Sequence, residues 1–128
     1  MLYKVTTGKP MDGIDRDLRA SAARHRFGVI TVHDLQETLR NKGVSLAMEC
    51  RIYEVCNPGQ AKKVLDAEGA ISTALPCRIS VYGSPGEYTL ATLRPTETMK
   101  AFDQPEIVAV AQEVETVIVE MMNDAGQE

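Results

Sequence analysis

The sequence predicts an α+β fold in which one sheet and a layer of helices form a two-layer α/β sandwich. Short β-prone segments and helical segments alternate along the chain in the order β, α, β, short α, β, short α, β, β, long α. A sheet with its helices mainly on one side buries the apolar faces of both layers. The chain has 128 residues, 44% hydrophobic and 25% charged, so residues 1–128 are expected to form a single domain.

The first part of the chain predicts a strand, a helix and a second strand. Residues 3–7 are β-prone, and "GKP" ends them before a helical pattern begins. Apolar side chains then recur at steps of three and four, as on one face of a helix: Met11, Ile14, Leu18, Ala22 and His25. The short β-branched stretch "FGVITV", residues 27–32, indicates a buried strand.

A brief helix and a strand with two distinct faces follow. Asp34 is a good N-cap with Glu37 at the capping-box position, and Gly43 is a favoured helix stop. The stretch "AMECRIYEVC" alternates, as a strand does. One face carries Cys50, Ile52, Glu54 and Cys56, and the other carries Glu49, Arg51, Tyr53 and Val55.

The next segment predicts a helix and a β-hairpin. Asn57 as N-cap and Pro58 at the first helical position begin a helix that ends at Gly69. The stretches "CRISVYG" and "EYTLATL" flank "SPG" as the two strands of a hairpin. In the first of them, Cys77, Ile79 and Val81 face one way and Arg78, Ser80 and Tyr82 the other.

The last segment predicts a long amphipathic helix. Asp103 and Glu106 form an acidic capping box around Pro105. The helix carries an apolar stripe of about five turns: Ile107, Val110, Ala111, Val114, Val117, Ile118, Met121 and Met122. Since such a helix must bury one face, the stripe predicts core packing rather than a cofactor site.

Charge and hydropathy exclude several classes of partner. The formal net charge of −4, with scattered Lys and Arg, argues against nucleic-acid binding. No apolar run approaches the roughly 20 residues that a membrane span requires, and "MLYKVTTGKP" does not resemble a signal peptide. We therefore expect a cytoplasmic protein with no membrane partner, whose three cysteines are reduced thiols rather than a disulfide scaffold.

Two of these cysteines could form a reactive pair. If the strand that ends at Cys56 and the strand that begins at Cys77 are antiparallel neighbours, both thiols lie close together, on the face of Ile52, Ile79 and Val81; a parallel arrangement would separate them. Cys56 also precedes a helix N-terminus, a setting that lowers a thiol pKa. Cys56 would then be the thiolate and Cys77 its resolving partner, with Glu54 exchanging protons.

These residues define the candidate site. The catalytic candidates are Cys56, Cys77 and Glu54, and the candidate ligand-binding residues are Glu54, Cys56, Asn57, Cys77 and Arg78. The alternative is structural: free cysteines pack as small apolar side chains, Asn57 only begins a helix, and Glu54 forms a salt bridge. The sequence has no CxxC, HExxH, GxSxG or Gly-rich phosphate loop, so no cofactor is indicated.

The motifs "EVCNPGQAKKVL", "STALPCRISVYG" and "GEYTLATLRPTE" resemble those of domain-of-unknown-function family 302, over residues of about 27–123. The resemblance implies a β-α-β4-α fold similar to the TATA-binding protein (TBP-like), with an antiparallel curved sheet, a long C-terminal helix and a homodimeric state. It implies no activity and no catalytic residues. Because the chain is acidic, and because a shared fold does not imply a shared function, the resemblance does not imply DNA binding.

Three functions follow as hypotheses. The first is a small cytoplasmic homodimer that binds a small ligand, or performs thiol or sulfur chemistry, at Cys56 and Cys77 with Glu54. The second is a binding or structural module with core cysteines, whose sheet face recruits a protein or a second copy through Arg51, Tyr53, Arg78 and Tyr82. The third is a thiol-ligated Cu(I) or Zn(II) protein, although no metal-ligand set is evident in the sequence.

Overall fold

Five strands form one open, curved sheet in the computed structural model, which describes residues 1–128. The strands are β1 (Leu2–Thr7), β2 (Gly28–Asp34), β3 (Glu49–Cys56), β4 (Cys77–Ser84) and β5 (Glu87–Leu93). They lie in the order β1-β5-β4-β3-β2, and every neighbouring pair is antiparallel. The predicted α+β fold with an antiparallel sheet is therefore confirmed.

The helices match the predicted order and include two short ones that the sequence did not indicate. They are α1 (Met11–Arg24), α2 (Leu35–Asn41), α3 (Pro58–Ala67), α4 (Pro95–Thr98) and α5 (Pro105–Gly126), with a 3-10 helix at Gly69–Ala74. The 3-10 helix and α4 are too short to show an apolar period, which is why pattern reading misses them. None of these helices has the length and apolar character needed to cross a membrane.

The predicted helix caps are partly confirmed. Asp34 accepts a hydrogen bond from the backbone N–H of Glu37 (3.1 Å), so it caps α2 as expected. The capping box predicted at Asp103 is wrong, because α5 begins at Pro105 and Gln104 occupies the N-cap without a side-chain hydrogen bond. Proline fixes the first helical position, so the residue immediately before it becomes the cap.

The core lies between the sheet and the two long helices. The apolar stripes of α1 and α5 pack against the sheet, and Ile14, Leu18, Ile79, Leu90 and Ile118 are fully buried. Polar contacts also join α5 to α1 and to the residues just before α1. Ser21 donates a hydrogen bond to Asp124 (2.7 Å), and Lys9 donates to the carbonyl of Ala125 (2.7 Å).

Strand register corrects the predicted sheet faces. Tyr53 is paired with Ile79 and Val55 with Cys77, so these side chains share the helix-covered face. Glu54 is paired with Arg78 on the opposite face, which we call the open face. The predicted grouping of Ile52 and Glu54 with Ile79, and of Arg51 and Tyr53 with Arg78, was therefore wrong. Alternation groups residues within one strand, but only the register shows which faces of two strands coincide.

Candidate functional site

A cavity of about 270 Å³ lies at the end of the sheet, between the end of β3, the start of β4, α3, the 3-10 helix and α5. Both Cys56 and Cys77 line it, and we call it the thiol cavity. Of its 15 lining residues, 11 are hydrophobic, and none is charged. This wall is suited to an apolar guest and offers no counter-ion for a charged one.

The strand order explains why the two cysteines meet. Because β3 and β4 are antiparallel, the last residues of β3 lie beside the first residues of β4, and Val55 is paired with Cys77. Residues 57–76 leave the sheet after Cys56 and return at Cys77. Antiparallel pairing of β3 with β4 is thus confirmed, and it brings Cys56 and Cys77 to the same end of the sheet. The prediction that both thiols lie on one face of the sheet is wrong, because Val55 and not Cys56 is paired with Cys77, and successive side chains of a strand point to opposite faces.

The thiols are not activated in the way the sequence suggested. Burial raises the pKa of Cys56, and burial together with the charge of Cys56 raises the pKa of Cys77 to about 11. The expected lowering at the N-terminus of α3 is therefore wrong. Several of the donors there are used or missing: Gln60 N–H donates to Asn57 Oδ1, Ala61 N–H donates to the Asn57 carbonyl, and Pro58 has no N–H.

Glu54 does not lie with the thiols in this cavity. On the open face, its Oε1 lies 3.1 Å from His33 Nε2 and 3.5 Å from Arg78 Nε. The Glu54 side chain is 15% exposed, so these two neighbours replace much of its lost hydration. The salt-bridge alternative therefore describes the surroundings of Glu54, and the candidate ligand-binding set is divided between the cavity and the open face.

Asn57 lines the cavity, but both ends of its amide are occupied. Its Oδ1 accepts from Gln60 N–H (3.0 Å), and its Nδ2 donates to the carbonyl of Arg26 (3.3 Å). The first contact caps α3 as predicted, and the second ties this cap to the loop before β2. Asn57 thus shapes the wall, and two of the four hydrogen bonds that its amide can make are already used.

Gln60 is a wall residue that sequence reasoning missed. Its Nε2 donates to Glu113 Oε2 on α5 (3.0 Å), whereas its Oε1 is buried and accepts no hydrogen bond. In the sequence, Gln60 is one more polar residue on a short helix. Only the contact between α3 and α5 distinguishes it, and no local pattern carries that information.

The comparison with known proteins agrees with the family resemblance that the sequence motifs indicate. The family model "Domain of unknown function DUF302" matches residues 3–125. The chain belongs to this family. The DUF302 match confirms the resemblance and extends it from residue 27 towards the N-terminus, to include β1 and α1.

A crystal structure of an uncharacterized conserved DUF302 protein from Bacillus stearothermophilus has the same architecture as this DUF302 chain. The two sequences are 26% identical, the TM-score is 0.89, and the match covers 97% of each chain. None of the curated proteins compared with the chain matches it. The fold is therefore that of a DUF302 protein, and the function must be argued from the site.

A second cavity of this DUF302 protein lies on the open face. It has a volume of about 640 Å³ and includes Ile52, Arg78 and Ser80 of the central strands. Leu75, Pro76 and Cys77 contribute to both cavities. The segment that leads into β4 is therefore a wall shared between the thiol cavity and the open face.

The sulfur-containing residues that line the thiol cavity are two cysteines and one methionine. Met99 lines the cavity with Cys56 and Cys77, and its side chain is almost fully buried. No group of three or more His, Cys, Asp or Glu side chains is placed to hold a metal ion. Sequence reasoning missed Met99 because it lies just after α4, a helix of four residues without a detectable pattern.

Proposed function

We propose that this DUF302 protein binds a small, mainly apolar organic molecule in the thiol cavity. The supporting observation is the uncharged wall of 11 hydrophobic residues around about 270 Å³. An apolar cavity of about 150 Å³ admits benzene, and pockets for larger ligands begin near about 300 Å³. The volume therefore fits a molecule of one or two rings.

The state of the thiols favours binding over thiol chemistry. With the pKa of Cys77 at about 11 and that of Cys56 also raised, both thiols are protonated at neutral pH. A protonated thiol is a poor nucleophile but a polarizable packing surface for an aromatic ring. Thiol or sulfur chemistry at the same residues is the alternative, and a Cu(I) or Zn(II) site on these sulfurs is a third.

Two probe compounds and a filled cavity test this proposal. We expect indole and naphthalene to shift the amide resonances of residues around the thiol cavity in two-dimensional NMR spectra. The variant Ala61→Phe places a ring in the wall and should abolish these shifts. Lys63→Phe adds the same ring to an exposed position on α3 and should leave them unchanged. Absence of binding by both compounds, or equal binding to Ala61→Phe, contradicts the proposal.

We also propose that two copies pair through the open face, and that the protein resides in the cytoplasm. Leu2 and Leu93 support the pairing, because they are paired across β1 and β5 and are 51% and 52% exposed on that face. Adjacent apolar side chains that form a contiguous patch at a sheet surface are typical of an association site. The location would keep the thiols reduced.

Light scattering of the purified protein tests the dimer. We expect twice the monomer mass for the unmodified chain and the monomer mass for Leu93→Glu. Val108→Glu changes an equally apolar residue, 43% exposed on α5, and should leave the dimer intact. A monomeric unmodified chain at micromolar concentration overturns this second proposal.

A further inference from the structure

We infer that the second cavity binds an amphipathic monoanion, a carboxylate with an apolar chain or ring, and that the guanidinium of Arg78 holds the carboxylate. This cavity, of about 640 Å³, includes Ile52, Arg78 and Ser80 and is called the open-face cavity below. The inference goes beyond the proposed function, because it concerns another cavity and a guest of another charge.

The sheet side of the open-face cavity is built by three neighbouring strands. Ile52 on β3 is paired with Ser80 on β4, and Ser80 is paired with Ala91 on β5. Arg78 precedes Ser80 by two residues, so its side chain rises from the same face, and Leu93 has the same relation to Ala91. Apolar residues of both neighbouring strands therefore flank Arg78 in this cavity.

The charge of this wall is that of Arg78. No Asp, Glu, Lys or His is among the 16 lining residues, and nine of the 16 are hydrophobic. One cation on an apolar wall suits a guest with one negative charge and an apolar body. A guest with two or more negative charges would lack a second cation there.

The guanidinium of Arg78 is accessible to such a guest. Its side chain is 62% exposed, and its ion pair with Glu54 joins Nε to Oε1 at 3.5 Å, which leaves both terminal nitrogens for a guest. These nitrogens form a planar fork that matches the two oxygens of a carboxylate. Glu54 also contacts His33 (3.1 Å), so it keeps a partner when Arg78 binds a guest.

The hydroxyl groups of the wall do not compete with Arg78 for this role. A hydroxyl has one hydrogen to donate, and every hydroxyl that lines the cavity donates it to a backbone carbonyl. The pairs are Thr73 with Ala70 (2.8 Å), Ser80 with Ala91 (3.4 Å), Thr92 with Arg78 (2.7 Å) and Thr98 with Pro95 (3.3 Å). Arg78 is thus the strong side-chain donor for a carboxylate in this cavity.

The two cavities therefore select guests of different charge. The thiol cavity has no charged wall residue and favours a neutral guest, whereas the open-face cavity combines one cation with an apolar wall. Its volume of about 640 Å³ lies within the range of small-molecule sites, about 300–1,000 Å³. A medium-chain alkanoate or an aryl-alkanoate belongs to this class.

Octanoate and octanamide test the inference, because they have nearly the same shape and differ in charge. In two-dimensional NMR titrations, octanoate should shift the amide resonances of Ser80 and Ala91, which line the open-face cavity alone. The resonances of Ala61 and Val64, which line the thiol cavity alone, should stay unchanged.

The affinities obtained from Ser80 and Ala91 give the contribution of the charge. At low salt, octanoate should bind about fivefold more tightly than octanamide, and the preference should shrink as salt screens the exposed guanidinium. Equal affinities, or octanoate shifts confined to the thiol cavity, overturn the inference.

Two matched variants assign the preference to Arg78. Arg78→Met keeps most of the side-chain length and removes the cation, so octanoate and octanamide should bind this variant equally. Arg40→Met removes another exposed guanidinium, on α2, that lines neither cavity, and should keep the preference. A preference that survives in Arg78→Met contradicts the inference. If thermal melting shows Arg78→Met to be unfolded, Arg78→Gln replaces it in the same comparison.

A second copy of the chain is the competing occupant of this face. Leu2 and Leu93 line the open-face cavity and also support the proposed pairing. If a second copy fills the cavity, octanoate leaves the resonances of Ser80 and Ala91 unchanged, and the inference falls while the dimer stands. Neither result bears on the thiol cavity, which indole and naphthalene test separately.

Discussion

Glu54 and Cys77 lie on adjacent antiparallel strands but on opposite faces of the sheet. Glu54 is paired with Arg78, whereas Cys77 is paired with Val55 on the helix-covered face. The sheet itself therefore separates the carboxylate from the Cys77 thiol. The thiol cavity is left with protonated cysteines and no acid or base of its own, which is the property expected of a binding site rather than of a nucleophilic centre.

Replacement of Glu54 should affect the open face alone. Glu54→Gln removes a carboxylate that lies beside His33 and Arg78, so we expect a loss of stability of about 1 kcal/mol or less, since Arg78 is well exposed. Urea denaturation measures the stability, and calorimetric titration measures indole binding, which should be unchanged. A large loss of indole affinity would mean that Glu54 contributes to the thiol cavity, and would contradict its assignment to the open face by strand register.

Alkylation should show that the thiols of the folded protein are unreactive. Because burial raises the pKa of Cys56 and of Cys77, iodoacetamide should modify them more slowly at pH 7 than it modifies the same chain in urea. In the folded protein, the rate of alkylation should rise only at strongly alkaline pH, and Cys77 should be modified after Cys56. Mass spectrometry of the digested protein assigns each modification. Rapid modification of Cys56 at pH 7 would favour the thiol-chemistry alternative.

The hairpin between β4 and β5 should be intolerant of a side chain at Gly83. This residue has φ of +136°, and an added Cβ would collide with the carbonyl oxygen of Glu87. We expect Gly83→Ala to destabilise the protein by about 2 kcal/mol or more. Gly28→Ala is the control, because nothing lies within 4 Å of its added Cβ. Similar urea midpoints for the two variants would contradict the strain at Gly83.

Acidic pH should remove the stability that Asp17 of α1 contributes to the fold. Hydrogen bonds from Lys9 and then Arg16 lower the pKa of Asp17 from 3.8 to about 2. A carboxyl whose pKa is lower in the folded state stabilises the fold above its unfolded value and loses that contribution as pH falls. The contribution of Asp17 should therefore disappear between about pH 4 and pH 2.

Thermal melts of the unmodified chain and of Asp17→Asn measure this loss. The difference between their melting temperatures should be largest above pH 4 and should vanish near pH 2. A difference that is independent of pH would mean that Asp17 acts through packing rather than through its charge.

The elements could be predicted from the sequence because their signals are local. The stripes of α1 and α5, and the caps at Asp34 and Asn57, each depend on residues within a few turns of one another. The residues themselves left the pairing of β3 and β4 open, and the antiparallel arrangement was implied by the family resemblance. These features needed no knowledge of distant contacts.

The site could be predicted only in part, because its decisive contacts are distant in the sequence. Cys56 and Cys77 were found, since each stands at the end of a recognisable strand. The sheet face of Glu54 depends on register with Arg78, and the hydrogen bond of Gln60 depends on Glu113 in another helix. The pKa values of the thiols depend on how deeply the assembled layers bury them, which spacing along the chain does not reveal.

The excursion of residues 57–76 has a consequence for how this family can diversify. The chain leaves the sheet after Cys56 and returns to it at Cys77. Between these residues, α3 and the 3-10 helix supply much of the cavity wall. Changes in the length or sequence of this segment can remodel the cavity without shifting the pairing of β3 with β4. Relatives that share the sheet are therefore free to differ in the size and lining of this cavity.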